Sequence, residues 1–176
     1  MILDLDKVKN NRKKIAIFPG SFDPITIGHY DIIIRSLNLF DKIIIAIGNN
    51  FKKKYMFPLY KRKQWLKETF LSPSFNEKYY SNNIEIDSFN GLMIPFCMKK
   101  KVKFLLRGIR NQLDFEFEKN LFFINKKLSK MNSYFIETIY LLSSYDKSYI
   151  SSSFVREIIK NRGNYTIFVP HAVRIN

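Results

Sequence analysis

Cysteine is almost absent. The single Cys97 has no internal disulfide partner and no second thiol for a C-x-x-C redox or metal site. In "GLMIPFCMKK" it reads as a core residue. Histidine is nearly as scarce, with only His29 and His171, far apart. With no cluster of His, Cys and carboxylates, the chain offers neither a zinc site nor a hydrolytic triad. The longest apolar run, "IIIAI", is far too short to cross a bilayer. The start, "MILDLDKVKNNRKK", has early acids and no apolar h-region. A secretory signal is therefore not expected, and the cytoplasm is. No internal repeat is present. Neither G-x-x-x-x-G-K-[ST] nor G-x-G-x-x-G occurs, which excludes P-loop and dinucleotide fingerprints.

Acidic residues are also in deficit, 15 against 30 basic ones, for a net charge of +15. Such a charge invites an anionic partner: nucleic acid, a membrane surface or phosphorylated metabolites. Lys, Ile, Asn, Phe and Tyr are enriched together, however, so compositional drift explains the charge better than a dedicated nucleic-acid face. Apolar residues at 46% and aromatics at 16% describe a globular chain, and 176 residues suffice for one domain with a real core. Residues 1–13 read as a polar extension and residues 14–176 as a single domain.

Short Ile-, Leu- and Phe-rich runs predict strands at 14–18, 42–48, 83–89, 103–109 and 135–142. Amphipathic stretches predict helices at 29–40, 59–70, 91–100 (interrupted by Pro95), 112–128 and 151–163. The last begins at serines suited to an N-cap and ends at Gly163, suited to a C-cap. Strand and helix alternate five times, the pattern of a doubly wound α/β domain with a parallel five-stranded sheet. Apolar-throughout strands suit a sheet covered on both faces.

Such sheets bind ligands beyond the carboxyl ends of their strands. After the first strand, "FPGSFDPITIGHYD" brings Ser21, Gly28 and His29 to a helix start, where free N–H groups favour an anion. After the second comes the charge run Lys52, Lys53 and Lys54, whose bland reading is a solvated loop. After the fourth, "LLRGIRNQLDFEFE" ends a buried strand on Arg107, with Arg110 just beyond; guanidinium suits phosphate. Asp114 and Glu116 are read as partners of neighbouring cations. After the fifth, Ser151, Ser152 and Ser153 open a helix with Arg156 one turn in, a second anion cradle.

These stretches resemble a known family. "TIGH" is similar to the T/HxGH signature of nucleotidyltransferases, and "ISSSFVR" to their serine-rich second signature. Taken with "RGIRNQLDFEFE", the chain from about Lys14 to Val173 resembles the phosphopantetheine adenylyltransferases, as distinct from nicotinamide-nucleotide adenylyltransferases and glycerol-phosphate cytidylyltransferases. The resemblance implies a Rossmann-like nucleotidyltransferase fold. It implies attack of 4′-phosphopantetheine on the α-phosphate of ATP, in line and without a covalent intermediate, with Mg2+ carried by the phosphates and no protein-built metal site. It implies His29 as the catalytic group. It implies ATP contacts from Ser21, Phe22, His29, Gly108, Ile109, Arg110, Glu118, Lys147, Ser148, Tyr149, Ile150, Ser151, Ser152 and Ser153. It implies phosphopantetheine contacts from Ser21, Lys53, Met93 and Arg107. It implies a homohexamer, with no nucleic-acid or membrane partner. The chain departs from the family pattern at Ser21 (usually Thr), at Tyr55 (commonly Pro), at Lys147 (an aromatic) and in a shortened last helix. Another adenylyl- or cytidylyltransferase activity is the competing enzyme reading. A basic nucleic-acid-binding protein that merely retains the fold is the competing non-enzyme reading.

Overall fold

The computed structural model describes residues 13–50, 52–72 and 81–175, so residues 1–12 of the expected extension lie outside the described residues. Strands β1 (Ile15–Gly20), β2 (Lys42–Gly48), β3 (Ile84–Phe89), β4 (Phe104–Ile109) and β5 (Glu137–Leu142) form one parallel sheet in the order β3-β2-β1-β4-β5. The helices are α1 (Ile27–Ser36), α2 (Leu59–Phe70), α3 (Met93–Lys100), α4 (Gln112–Met131) and α5 (Ser152–Lys160).

Side-chain alternation explains why both faces are covered. Ala16, Phe18, Ile43, Ile45, Ile47 and Leu106 point to one face, where they meet Ile32 and Ile33 of α1, Trp65, Leu66 and Phe70 of α2, and Val155 of α5. Ile17, Ile44, Ala46 and Leu105 point to the other, against Ile94, Phe96 and Cys97 of α3 and Leu128 of α4. Each fully buried large side chain contributes roughly 1.5–3 kcal/mol. Cys97 is a core residue as read, and burial pushes its thiol up to about 12.

The helices differ from the sequence reading mainly near their ends. Helix α1 starts at Ile27, before His29, because Thr26 caps it. Pro95 does not interrupt α3: it sits in the first turn, where a missing N–H breaks no intrahelical bond. At the end of α5 the left-handed position is taken by Arg162 (φ 57), not Gly163. The Arg162 and Gly163 N–H groups reach back to the carbonyls of Ile159 and Ile158 at 3.0 and 2.8 Å, the Schellman arrangement.

The strand order reverses between β1 and β4, and there the ladder is short. Only Ala16↔Phe104 and Ile17↔Leu105 are in register, whereas β1 and β2 pair along their whole length. Beyond Ile17 the two strands part. A strand residue aims its N–H and C=O to the same side, so the donor that Pro19 lacks would have pointed into this gap. The Pro19 carbonyl does point there, and accepts a hydrogen bond from Arg107 at 3.0 Å. The gap is the crevice that a doubly wound sheet places at its switch point.

Candidate active site

A cleft of about 260 Å³ occupies this gap. Its lining comes from the ends of β1 and β4, the first turns of α1 and α5, Asp114 and Glu118 of α4, and Ser143 and Ile150 of the segment that leads into α5. Two helix N-termini thus face one space, and their unsatisfied N–H groups and dipoles favour a polyanion.

His29 stands at the third position of α1. The Thr26 N–H donates to its Nδ1 at 3.1 Å, and the Thr26 hydroxyl lies 2.9 Å from the same atom. Nδ1 is therefore an acceptor, and the one proton of the neutral ring sits on Nε2, the nitrogen left for the cleft. Burial, then the charges of Arg110 and Arg107, push the imidazole down to about 4. His29 is a neutral donor at pH 7. Phe22 packs edge-on to it with ring centroids 5.2 Å apart. Phe22 holds a left-handed backbone (φ 47) while its ring is fully buried over Gly20. A Cβ on Gly20 would lie 2.9 Å from that ring, so only glycine fits there.

Arg107 and Glu118 form the opposite wall. Arg107 Nε donates to Glu118 Oε2 at 2.7 Å, and Nη2 donates to Oε1. Arg110 grips Asp114 with Nε at 2.7 Å and Nη2 at 2.9 Å. Burial would raise the Asp114 carboxyl; the Arg110 bonds and charge outweigh it and hold it below the ordinary aspartate range. The pairing read for Asp114 holds, and so does that of Glu116, with Lys119 at 2.5 Å. The serines divide their work. Ser151 caps α5 by accepting the Phe154 N–H at 3.1 Å, and Ser152 donates to the Pro24 carbonyl at 2.8 Å. Arg156 bolts α5 to the Asp23 carbonyl at 2.7 Å.

A second, apolar cavity of about 320 Å³ lies behind Arg107 and Glu118, with Met93, Leu92, Phe122 and Tyr140 in its walls. Arg107 and Glu118 line both spaces, so the pair is the partition between them. A third space includes Ser21, Asn50, Lys52 and Tyr55.

Of the residues singled out in the sequence, the main cleft gathers Gly28, His29, Arg107, Gly108, Arg110, Glu118, Ile150, Ser151, Ser152 and Ser153. Met93 is in the apolar cavity and Ser21 in the third space. Phe22 and Ile109 are core residues. Lys147 pairs with Asp146 at 2.8 Å, Ser148 donates to the Tyr145 carbonyl at 3.0 Å, and Tyr149 is largely exposed. Lys53 lies with Nζ 5.6 Å from the Tyr55 ring centroid, while Lys52 is the lysine on the third space.

Sequence reasoning missed several groups. Asp23, buried, accepts the Met56 and Phe57 N–H groups at 3.0 and 2.9 Å. Arg62, also buried, donates to the Ser21 and Phe57 carbonyls at 2.7 and 3.1 Å, and its guanidinium stacks 4.0 Å from the Tyr55 ring centroid. Together they tie the lysine loop to the β1 turn. The signal for Arg62 was present: it stands one turn before Trp65 and Leu66 on the apolar face of α2, where a charge needs buried partners. Thr26 and His29 have capping-box spacing, which was equally readable.

A family model described as cytidylyltransferase-like matches residues 17–158. The chain is 52% identical over 160 residues to a phosphopantetheine adenylyltransferase of Flavobacterium psychrophilum, covering 91% of this chain and 97% of that relative. It is 49% identical to the phosphopantetheine adenylyltransferase of Flavobacterium johnsoniae over the same shares of each. Among solved structures, Plasmodium falciparum nicotinic acid mononucleotide adenylyltransferase complexed with NaAD has a TM-score of 0.62 at 16% identity, over 90% of this chain and 91% of that one. That likeness supports the fold alone.

Proposed function

The chain belongs to the cytidylyltransferase-like family and, within it, to the phosphopantetheine adenylyltransferases of coenzyme A biosynthesis, and from that premise we propose that it transfers the adenylyl group of ATP to 4′-phosphopantetheine, releasing dephospho-coenzyme A and pyrophosphate. One observation carries the reading. The β1–β4 gap holds a neutral Nε2 donor and two helix N-termini on one side and, across Arg107, a neighbouring apolar cavity. A triphosphate suits the first space and the pantetheine arm the second. The acceptor phosphate would then meet the α-phosphate at the partition, where Arg107 serves both.

In this reading the acceptor phosphate oxygen attacks the α-phosphorus in line as the bond to pyrophosphate breaks. Positioning and charge stabilisation suffice, with no covalent intermediate. His29 Nε2–H donates to an α-phosphate oxygen as charge accumulates there. Mg2+ would neutralise the triphosphate and be held by it. The donors around the cleft are mostly cationic or neutral, and Asp114 and Glu118 are already engaged by arginines, so the residues suit the phosphates better than a bare metal. Among the described residues no group of three or more His, Cys, Asp or Glu could hold a metal, and no helix is long and apolar enough to cross a membrane. The reading includes the cytoplasm, a homohexamer and no nucleic-acid or membrane partner; gel filtration tests the assembly.

The test is pyrophosphate release from ATP or CTP with phosphopantetheine, nicotinamide mononucleotide or glycerol 3-phosphate. ATP with phosphopantetheine should be the productive pair. Faster release from any other pair overturns the assignment.

The lysine loop gives a finer prediction. The contact of Lys53 with Tyr55 is worth only about 0.5–1 kcal/mol at an exposed site, less than the roughly 1.5–3 kcal/mol of a bond to a charged group. Lys53 should therefore leave Tyr55 for the acceptor phosphate. Single alanine changes at Lys52, Lys53 and Lys54 should give one large rise in KM for phosphopantetheine, at Lys53. A larger effect at Lys52 would hand it the role, and equal small effects would make the run a solvated loop.

A further inference from the structure

The segment from Ser143 to Ser151 closes one side of the main cleft through Ser143, Ile150 and Ser151. It is fastened to the helix that bears His29 by one cluster outside the cleft. Asp31 lies on α1, two residues after His29. Its carboxylate accepts the Ser144 hydroxyl at 3.0 and 2.9 Å and the Ser144 N–H at 3.4 Å. Arg35, one turn later, donates to the same carboxylate at 3.0 Å and to the carbonyl of Leu142, the last residue of β5, at 2.8 Å. Lys147, where the family pattern has an aromatic, brings Nζ to 3.9 Å from Asp31 Oδ1. The Asp31 side chain is 12% exposed, so these groups are its surroundings and water contributes little. The same segment lies against the first turn of α1: a Cβ on Gly28 would stand 3.7 Å from the Lys147 carbonyl and 3.8 Å from that of Ile150.

The far end of the segment is held separately, by Ser152 on Pro24 and Arg156 on Asp23. The Ser143 N–H is held on the Ile109 carbonyl at 2.9 Å and Arg110 reaches the Ile150 carbonyl at 3.5 Å, so loss of the Asp31 cluster would loosen the stretch between them while both its ends and α5 stay docked. We propose that Asp31 is a positioning residue for the donor nucleotide: with Ser144, Arg35 and Lys147 it seats the 143–151 segment on α1 and sets the width of the cleft between His29 and the start of α5. This rests on ATP being the ligand of that cleft. Asp31 meets no reacting atom in this account. Its removal takes the acceptor from Ser144 and the carboxylate from between Arg35 and Lys147, which keeps only Asp146, so the segment loses its seat on α1. The apolar cavity across Arg107 does not touch the cluster, so acceptor binding is spared.

The experiment compares the full chain with Asp31→Asn, Ser144→Ala and the double variant, using ATP titration without acceptor, then KM and kcat for each substrate. Asp31→Asn should weaken ATP binding about ten-fold and Ser144→Ala about three-fold, with the KM for phosphopantetheine within two-fold of the parent. The double variant should be no worse than Asp31→Asn, because both remove one shared contact. Unchanged ATP affinity in Asp31→Asn overturns the proposal. So does equal weakening toward both substrates, the mark of a merely structural role, or strict additivity. Should Asp31→Asn fail to fold, Ser144→Ala carries the same comparison. A parent chain that binds ATP but does not use phosphopantetheine defeats the functional reading alone; one that binds no ATP defeats both.

Discussion

His29→Ala is expected to lower turnover roughly a hundred- to a thousand-fold while most ATP affinity survives. Ground-state binding has other support: the first-turn amides of α1 and α5, Arg107 and Arg110. What the imidazole adds is one donor held before the reaction begins. Thr26 fixes its tautomer through Nδ1, and Nε2–H waits where charge accumulates at a five-coordinate phosphorus. The structure also gives the ring a second task, because it completes a capping box with Thr26, which is buried. Alanine leaves the Thr26 N–H without that partner, at a cost of about 1 kcal/mol, so the variant should melt a few degrees low. Glutamine suits the third position of a capping box. His29→Gln should therefore recover the melting temperature and little of the turnover. Exposed His171 is the control, and His171→Ala should stay active. Near-normal turnover of His29→Ala would refute the role.

The same residue makes a pH signature. Its folded-state pKa, about 4, lies below the ordinary value of 6.5. Between those values the unfolded chain binds the proton and the folded chain does not, so stability is complete above pH 6.5 and is lost as pH falls toward 4. At about 1.36 kcal/mol per unit the upper bound is roughly 3 kcal/mol. Urea unfolding across that window should show this loss in the parent and a flatter profile in His29→Gln. Identical profiles would mean that His29 is not held neutral.

The parts legible in the sequence are those decided locally. Helix α2 is found residue for residue because Trp65, Leu66 and Phe70 repeat at helical spacing, and β2 because "KIIIAIG" is apolar between turns. The strand-end rule led to His29, Arg107, Arg110 and the serines because their position depends on fold class more than on detail. What escaped was set by tertiary partners. Asp31 meets Ser144 across 113 residues, and Arg156 meets the Asp23 carbonyl across 133. No periodicity announces such pairs. Arg107 and Glu118 were assigned to different ligands by resemblance, and only the packing of α4 against β4 shows that each is the other's partner.

That pairing changes what Arg107→Ala should do. Removal of the guanidinium takes a charge-assisted bond from the acceptor phosphate, about 1.5–3 kcal/mol and so roughly ten- to a hundred-fold in KM for phosphopantetheine. It also strands Glu118, whose side chain is only 10% exposed. An unpaired carboxylate there costs stability, at most the 3–5 kcal/mol typical of broken buried pairs and less here because Arg107 is partly open to solvent. The single variant therefore confounds lost recognition with lost stability. Glu118→Gln on the Arg107→Ala background separates them by removing the stranded charge and keeping the shape. The double variant should regain most of the melting temperature and none of the phosphopantetheine affinity. ATP affinity should fall less than acceptor affinity in both, since Arg110 and the two helix starts still face the triphosphate. If acceptor affinity returns together with stability, Arg107 is a structural partner of Glu118 and the partition plays no part in recognition. If KM and turnover stay at parent values in the single variant, the placement of the acceptor phosphate at Arg107 is wrong.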